Sequence, residues 1–160
     1  MNLFLILVSF SAFNLKGYLA IGIPAGESRA LLKGGGTVGV ESYLLEWRFV
    51  STGASLEASS FVLLGSGNSE IKLLSIAPAI FITPPLPGDV LLLKGKIDIS
   101  RFQIHNPAYT KTFYTTGLSF GSDIKITDKP LKIYLSAQYS NYQGAKKNFV
   151  FYNLGFALRI

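Results

Sequence analysis

The last twelve residues, Phe149 to Ile160, read FVFYNLGFALRI and alternate without a break. Val150, Tyr152, Leu154, Phe156, Leu158 and Ile160 fall on one face, and Asn153, Gly155, Ala157 and Arg159 on the other. Successive side chains of a strand point to opposite sides, so this period of two predicts a strand with one apolar and one polar face. The same period recurs upstream. In Leu15–Ile23, Leu19, Ile21 and Ile23 alternate with Ala20 and Gly22. Thr37–Phe49 sets Tyr43, Leu45, Trp47 and Phe49 against Glu46 and Arg48, and Ala54–Leu64 sets Leu56, Ala58, Val62 and Leu64 against Glu57 and Ser59. Glu70–Thr83 is less regular, and its Pro78, which cannot donate to a ladder, predicts an edge-like spot or a bulge. Asp89–Arg101 alternates Leu91, Leu93, Ile97 and Ile99 with Lys94, Lys96, Asp98 and Ser100. Thr112–Ile126 opposes Leu118, Phe120, Ile124 and Ile126 to Thr115, Gly117, Ser119, Gly121, Asp123 and Lys125. Leu131–Ser140 opposes Ile133, Leu135, Ala137 and Tyr139 to Lys132, Tyr134, Ser136 and Gln138.

Eight strands are therefore predicted, separated by segments rich in Gly, Pro and polar residues, and no segment sustains a helical period. Pro24–Gly36, Gly65–Ser69, Phe102–Thr110 and Asn141–Asn148 read as loops; Val50–Gly53, Pro84–Gly88 and Thr127–Pro130 read as turns. An even number of antiparallel strands lets the two ends of the chain pair and removes the sheet edges. Eight strands of about ten residues also make the smallest barrel that spans a bilayer.

Alternation does not say which face meets water. A carrier barrel in water would bury the Leu/Ile face, and a membrane barrel would turn it to lipid. Composition leaves both open, and the placement of small and aromatic residues favours the membrane. Hydrophobic residues make up 49% and charged residues 15% of the 160, a greasy balance for a chain without an apolar run of the ~18–20 residues that a spanning helix needs. The polar faces are rich in small residues, as a narrow lumen requires. Aromatics gather near strand ends (Trp47, Phe49, Phe81, Phe113, Tyr114, Tyr139, Phe149 and Tyr152), which predicts interfacial girdles. The expected fold is an all-β, eight-stranded, antiparallel up-and-down transmembrane barrel over residues 13–160. Met1 to Ala12 (MNLFLILVSFSA) reads as the hydrophobic region of a signal peptide cleaved near Ala12.

The chain resembles the small eight-stranded barrels of the bacterial outer membrane, which characteristically finish on an apolar strand, usually with an aromatic last residue; here that residue is Ile160. The resemblance implies an outer-membrane location, contact with outer-membrane lipid, delivery to the barrel-assembly machinery through Phe149 to Ile160, and a monomer. With Ile160 at the periplasmic rim, the three short turns lie inward and the four loops outward, the usual asymmetry of such barrels.

On this reading Glu46, Arg48, Glu57, Lys94, Lys96, Asp98, Asp123, Lys125, Lys132 and Arg159 point into the lumen. Charges in a confined interior are tolerable when paired and hydrogen-bonded, so a cross-strand ion-pair network is expected. The net charge of +6 comes from scattered residues without a basic run interleaved with aromatics, which argues against nucleic acid as a partner. With no cysteine and one histidine, thiol nucleophiles and multi-histidine metal sites are excluded, and no cofactor is expected.

One local pattern bears on catalysis. Gln138-Tyr139-Ser140-Asn141, after GLSFGSDIKITDKPLKIYL and before a last strand beginning Asn148-Phe149, resembles the outer end of the seventh strand in the lipid A deacylases, which carry His-x-Ser-Asn there. The resemblance covers about the last third of the chain and would make Ser140 the nucleophile. Gln138 stands where the family has its base, and glutamine cannot take the proton of a serine at neutral pH. The expected function is therefore non-enzymatic: a structural or surface-interaction barrel acting through its loops. A hydrolase of the deacylase type and a narrow solute channel are the alternatives.

Overall fold

The computed structural model describes residues 14–65, 69–129, 131–144 and 148–159. Eight antiparallel strands follow one another in chain order: β1 (Asn14–Ala25), β2 (Leu32–Trp47), β3 (Val50–Leu63), β4 (Glu70–Ile82), β5 (Leu91–Asn106), β6 (Tyr109–Thr127), β7 (Lys132–Tyr142) and β8 (Phe149–Arg159). Each pairs with its neighbour, and β8 pairs with β1 from Lys16↔Arg159 to Ala25↔Val150, so the sheet closes into a barrel. The predicted fold class is the observed one. The predicted signal segment and Ile160 lie outside the described residues.

The strands are tilted, because the register climbs as the sheet goes round. Partners followed from Asn14 through Tyr43, Gly53, Ala79, Lys96, Ser119, Ser140 and Phe151 return to β1 at Pro24, ten residues along from the start. A stagger of this kind tilts the strands of an eight-stranded barrel by about 35–45° and leaves an interior just wide enough for side chains to fill.

The alternation is oriented as in a membrane barrel. Leu19 is 69% exposed, and Ile21, Val38, Leu56, Ile76, Ile97, Phe120, Leu135 and Phe156 all face outward. Lys16, Glu41, Glu57, Lys94, Lys96, Asp98 and Asp123 are buried inside. A protein with ion pairs within and a continuous apolar exterior is turned toward lipid, where only a closed sheet satisfies every backbone group. Pro78 sits on the outer face, and β4–β5 pairing lapses between Ile76↔Ile99 and Ala79↔Lys96, the local break its missing N–H predicts.

Several boundaries differ from the expectation. Pro24–Gly36 is not an open loop: β1 runs to Ala25, a 3-10 turn occupies Gly26–Ala30, and the three glycines lie within β2. Gly35 belongs there because its backbone presses on β3, where a Cβ would strike the carbonyl oxygen of Ser60. Phe102–Thr110 is not a loop either. Phe102 is buried, β5 continues to Asn106, and the connection is the pair 107–108. The expected contrast of short and long connections is therefore absent: the longest, 83–90, lies at the end that holds Asn14 and Arg159. We call this the terminal end, and the opposite one the far end.

A β-bulge hid part of the inner face. The β2–β3 register shifts between Tyr43 and Leu45, so Leu44 and Leu45 both face out. An extra residue inverts the alternation beyond it. Tyr43, predicted on the same side as Trp47, points inward, whereas Trp47 is 83% exposed. Three residues assigned to the girdles also turn inward: Phe81 is buried, and Phe113 and Phe149 pack on the interior cluster at the far end.

Candidate functional site in the lumen and at the far rim

The lumen is filled in tiers. At the terminal rim Arg159 Nη2 lies 2.9 Å from Glu46 Oε1, and Asn14 links both residues by hydrogen bonds of 2.8 and 3.0 Å. The Arg159 guanidinium lies 4.3 Å from the Tyr43 ring centroid. Beneath it pack Tyr43, Ala79, Phe81 and Leu92 beside Tyr18, Tyr134 and Ala157.

The next tier is a square of charges. Lys16 Nζ binds both Glu41 and Asp123, and Lys94 Nζ binds the same two acids at 3.1 and 3.2 Å. All four side chains are fully buried. Each ammonium therefore has two carboxylates and each carboxylate two ammoniums, a neutral arrangement that offsets the desolvation of every member. Tyr18 lies between tiers, with Lys94 and Lys96 at 5.1 and 5.7 Å from its ring centroid. Its ring fits because Gly39 faces it; a Cβ there would overlap the ring.

Above the square, Lys96 binds Glu57, which also accepts from Gln138 Nε2 at 3.3 Å. Gln138 donates to Ser140 Oγ at 3.0 Å, Ser140 meets Ser119 at 2.9 Å, and Asp98 accepts from Ser119 and Ser75. The far half is apolar: Leu32, Phe61, Ile71, Leu73, Phe102, Tyr142 and Phe151 form one buried cluster.

Of the residues predicted in the lumen, Glu57, Lys94, Lys96, Asp98 and Asp123 lie in these tiers. Arg159 and Glu46 form the rim pair, with Glu46 half in solvent. Lys125 stands partly buried at the same rim, 3.4 Å from Asp128. Arg48 and Lys132 are corrected: Arg48 lies exposed in the β2–β3 turn with φ +49°, and Lys132 is exposed at the first residue of β7. The alternation continues through strand ends, but the enclosing wall does not. Lys16 and Glu41, which complete the square, were missed. Tyr18, two residues after Lys16, disguised the inner face of β1, and the bulge at Leu44 put the inner face of β2 out of phase.

Ser140, the candidate nucleophile, is wholly buried inside the barrel and hydrogen-bonded to Ser119 and Gln138. The single histidine, His105, lies at the far rim with Nδ1 3.0 Å from Thr110 Oγ1. Among the described residues the side-chain partners of Ser140 are a hydroxyl and an amide, neither of them a base, and an acyl ester in the bilayer would meet the outer face of β7.

The far rim is uneven. Beyond Gly117↔Tyr142 no described strand pairs with β6, although β6 continues to Tyr109. On its other side β5–β6 pairing runs on to Asn106↔Tyr109. β6 therefore runs past β7, whereas β5 stays paired with β4 up to Glu70↔His105, and Tyr109 and Tyr114 are strongly exposed. Gln143 N donates to Thr116 O at 2.9 Å, which fixes the side to which Thr116 turns its backbone groups. Alternate residues share that side, so Tyr114, Thr112 and Thr110 present N–H and C=O to an open edge.

A closed eight-stranded antiparallel wall, an apolar exterior and a filled lumen with a buried charge network define the class: a small transmembrane β-barrel of the outer-membrane type. Solved structures place the fold more closely. The chain is similar to Neisserial surface protein A at TM-score 0.64 and 10% identity, over 92% of this chain and 96% of that one. It is similar to the outer membrane protein Ail of Yersinia pestis in a phospholipid bilayer nanodisc at TM-score 0.62 and 9% identity, over 93% and 100%. The N-terminal β-barrel domain of Pseudomonas aeruginosa OprF matches at TM-score 0.53 and 15% identity, over 92% and 98%. No family model and no curated protein matches the chain.

Proposed function

We propose that this chain is a non-enzymatic barrel of the bacterial outer membrane whose interaction surface is the edge of β6 in the β5–β6 hairpin. The observation that carries this reading is the open edge of β6, from Tyr109 to Tyr114, beyond the last described pair with β7. An extended segment of another protein can add there as a further strand, bound by main-chain hydrogen bonds, with Tyr109 and Tyr114 supplying adhesive area. The role expected of the outward loops is assigned here to one hairpin. Two of the similar structures are of a Neisserial surface protein and of the attachment invasion locus protein of Yersinia pestis, which supports such a setting. The filled lumen supports a structural wall in preference to a channel, and the buried Ser140 supports a non-enzymatic role.

The test is Thr112→Pro, which removes a free-edge donor and leaves the β5 ladder intact. Cells displaying the wild type should bind immobilised extracellular-matrix protein and cultured host cells, and the variant should lose most of that binding while its barrel still shifts on a gel only after boiling. Equal binding by the two, or a change in the acyl pattern of lipid A on expression of the wild type, would refute the reading.

A further inference from the structure

The lipid-facing residues of β4, taken from the terminal end, are Ile82, Ile80, Pro78, Ile76 and Leu74; then the file turns charged at Lys72 and Glu70. On β5 the outward file Leu93, Gly95, Ile97, Ile99 turns charged at Arg101 and then reaches Gln103. The two changes fall side by side, since Leu74 pairs with Arg101 and Lys72 with Gln103. They mark the far boundary of the apolar belt.

On the adjoining strands the outer face thins. Ser60 lies beside Lys72 and Ala58 beside Leu74, and their partners on β2 are Gly36 and Val38. Small side chains at Gly36, Ala58 and Ser60 leave a groove of about 350 Å³, lined also by Lys72, Leu74 and Arg101. The groove lies at the boundary of the belt, and two cations line it.

The charges there are not balanced. Lys72 Nζ lies 2.7 Å from Glu70 Oε1, an exposed pair that Ser60 also joins through Glu70. Arg101 has no salt bridge among the described residues. A planar guanidinium at the edge of hydrocarbon is well matched by an anion that offers two oxygens to its paired N–H donors, such as a phosphate. Lys72 can turn from Glu70 to share that phosphate at little expense, because exposed pairs contribute only about 0–1 kcal/mol.

We propose that this groove holds one anionic membrane lipid, with an acyl chain along Gly36, Ala58 and Ser60 and its phosphate bridging Arg101 and Lys72. The site differs in position and ligand from the β6 edge, so either proposal can fail without the other.

The test uses the purified full-length barrel in detergent, titrated with phosphatidylglycerol, phosphatidylcholine or inorganic phosphate and read by native mass spectrometry. The wild type should hold one phosphatidylglycerol at least about tenfold more tightly than phosphatidylcholine, which has the same phosphate but carries a choline cation that Arg101 and Lys72 repel. Arg101→Gln should abolish that preference and Lys72→Gln reduce it. Ala58→Trp, which fills the groove without altering charge, should weaken both lipids. Lys132→Gln, at the opposite rim, should change nothing, and each variant must first show heat-modifiable migration. Equal retention of the two lipids by the wild type, an unchanged preference in Arg101→Gln, undiminished lipid binding by Ala58→Trp, or displacement of the lipid by inorganic phosphate would each overturn the proposal.

Discussion

Replacing Glu41 by glutamine tests the charge square directly. The substitution keeps the side chain's shape and one acceptor, but leaves Lys16 and Lys94 to share Asp123. At the 3.1 Å that separates Lys94 from Glu41, a unit-charge pair is worth about 5 kcal/mol before desolvation at an effective dielectric of ~20. Most of that attraction offsets the burial of the ions, so it is not the measured quantity. Once one partner is removed, the desolvation of the stranded ammonium stands uncompensated, and the expected loss is about 3–5 kcal/mol. Lys94→Met in the same background restores a one-to-one balance of Lys16 and Asp123. The double variant should therefore lie closer to the wild type than Glu41→Gln alone does. Urea unfolding in lipid vesicles reads this through Trp47, the chain's one tryptophan, which sits on the lipid-facing side, with the gel shift as a second probe. If the two substitutions add to within about 0.5 kcal/mol, the residues are not energetically coupled and the square is not a unit.

Phe156, on the outer face opposite Leu19, gives a test of orientation: Phe156→Arg should lower bilayer stability by about 2–4 kcal/mol, and an unchanged midpoint in vesicles would mean that this face does not meet lipid. Gly39→Val should displace the Tyr18 ring from between Lys94 and Lys96 and lower stability by about 1–3 kcal/mol, measured by the same unfolding curve; a neutral result would place the ring elsewhere. Phe102→Ala removes the ring that packs on Phe113, Tyr142 and Phe149, and should lower the unfolding free energy by about 3–5 kcal/mol in the same urea titration.

Legibility followed the range of the interactions concerned. The inner faces of β5, β6 and β7 were readable because each is an unbroken local alternation, and Lys94, Lys96, Asp98 and Asp123 all face inward. The inner face of β2 was not, because the bulge at Leu44 inverts its alternation within the apolar run Tyr43-Leu44-Leu45, where the sequence does not show which residue changes the phase. Polar residues at strand ends were misread in both directions. His105 and Asn106 looked like loop residues and are paired within the hairpin, whereas Lys132 looked like lumen and stands in solvent. Aromatics misled for a related reason, since Phe81, Phe113 and Phe149 satisfy the rule for a girdle and the rule for a core equally well.

The strand count, the antiparallel wall and the split of each strand into an apolar and a polar or charged face were legible in the sequence, because a period of two is a property of one strand and survives whatever the strand packs against. Tertiary structure alone decided which charges meet, since Lys16 and Asp123 are 107 residues apart and share a tier only through a register that climbs ten residues around the barrel. It also decided where the wall stops. The open edge at Thr112 follows from how much farther β6 pairs with β5 than with β7, and the groove at Arg101 from which residues of β2 to β5 the register sets side by side, and no single strand encodes either.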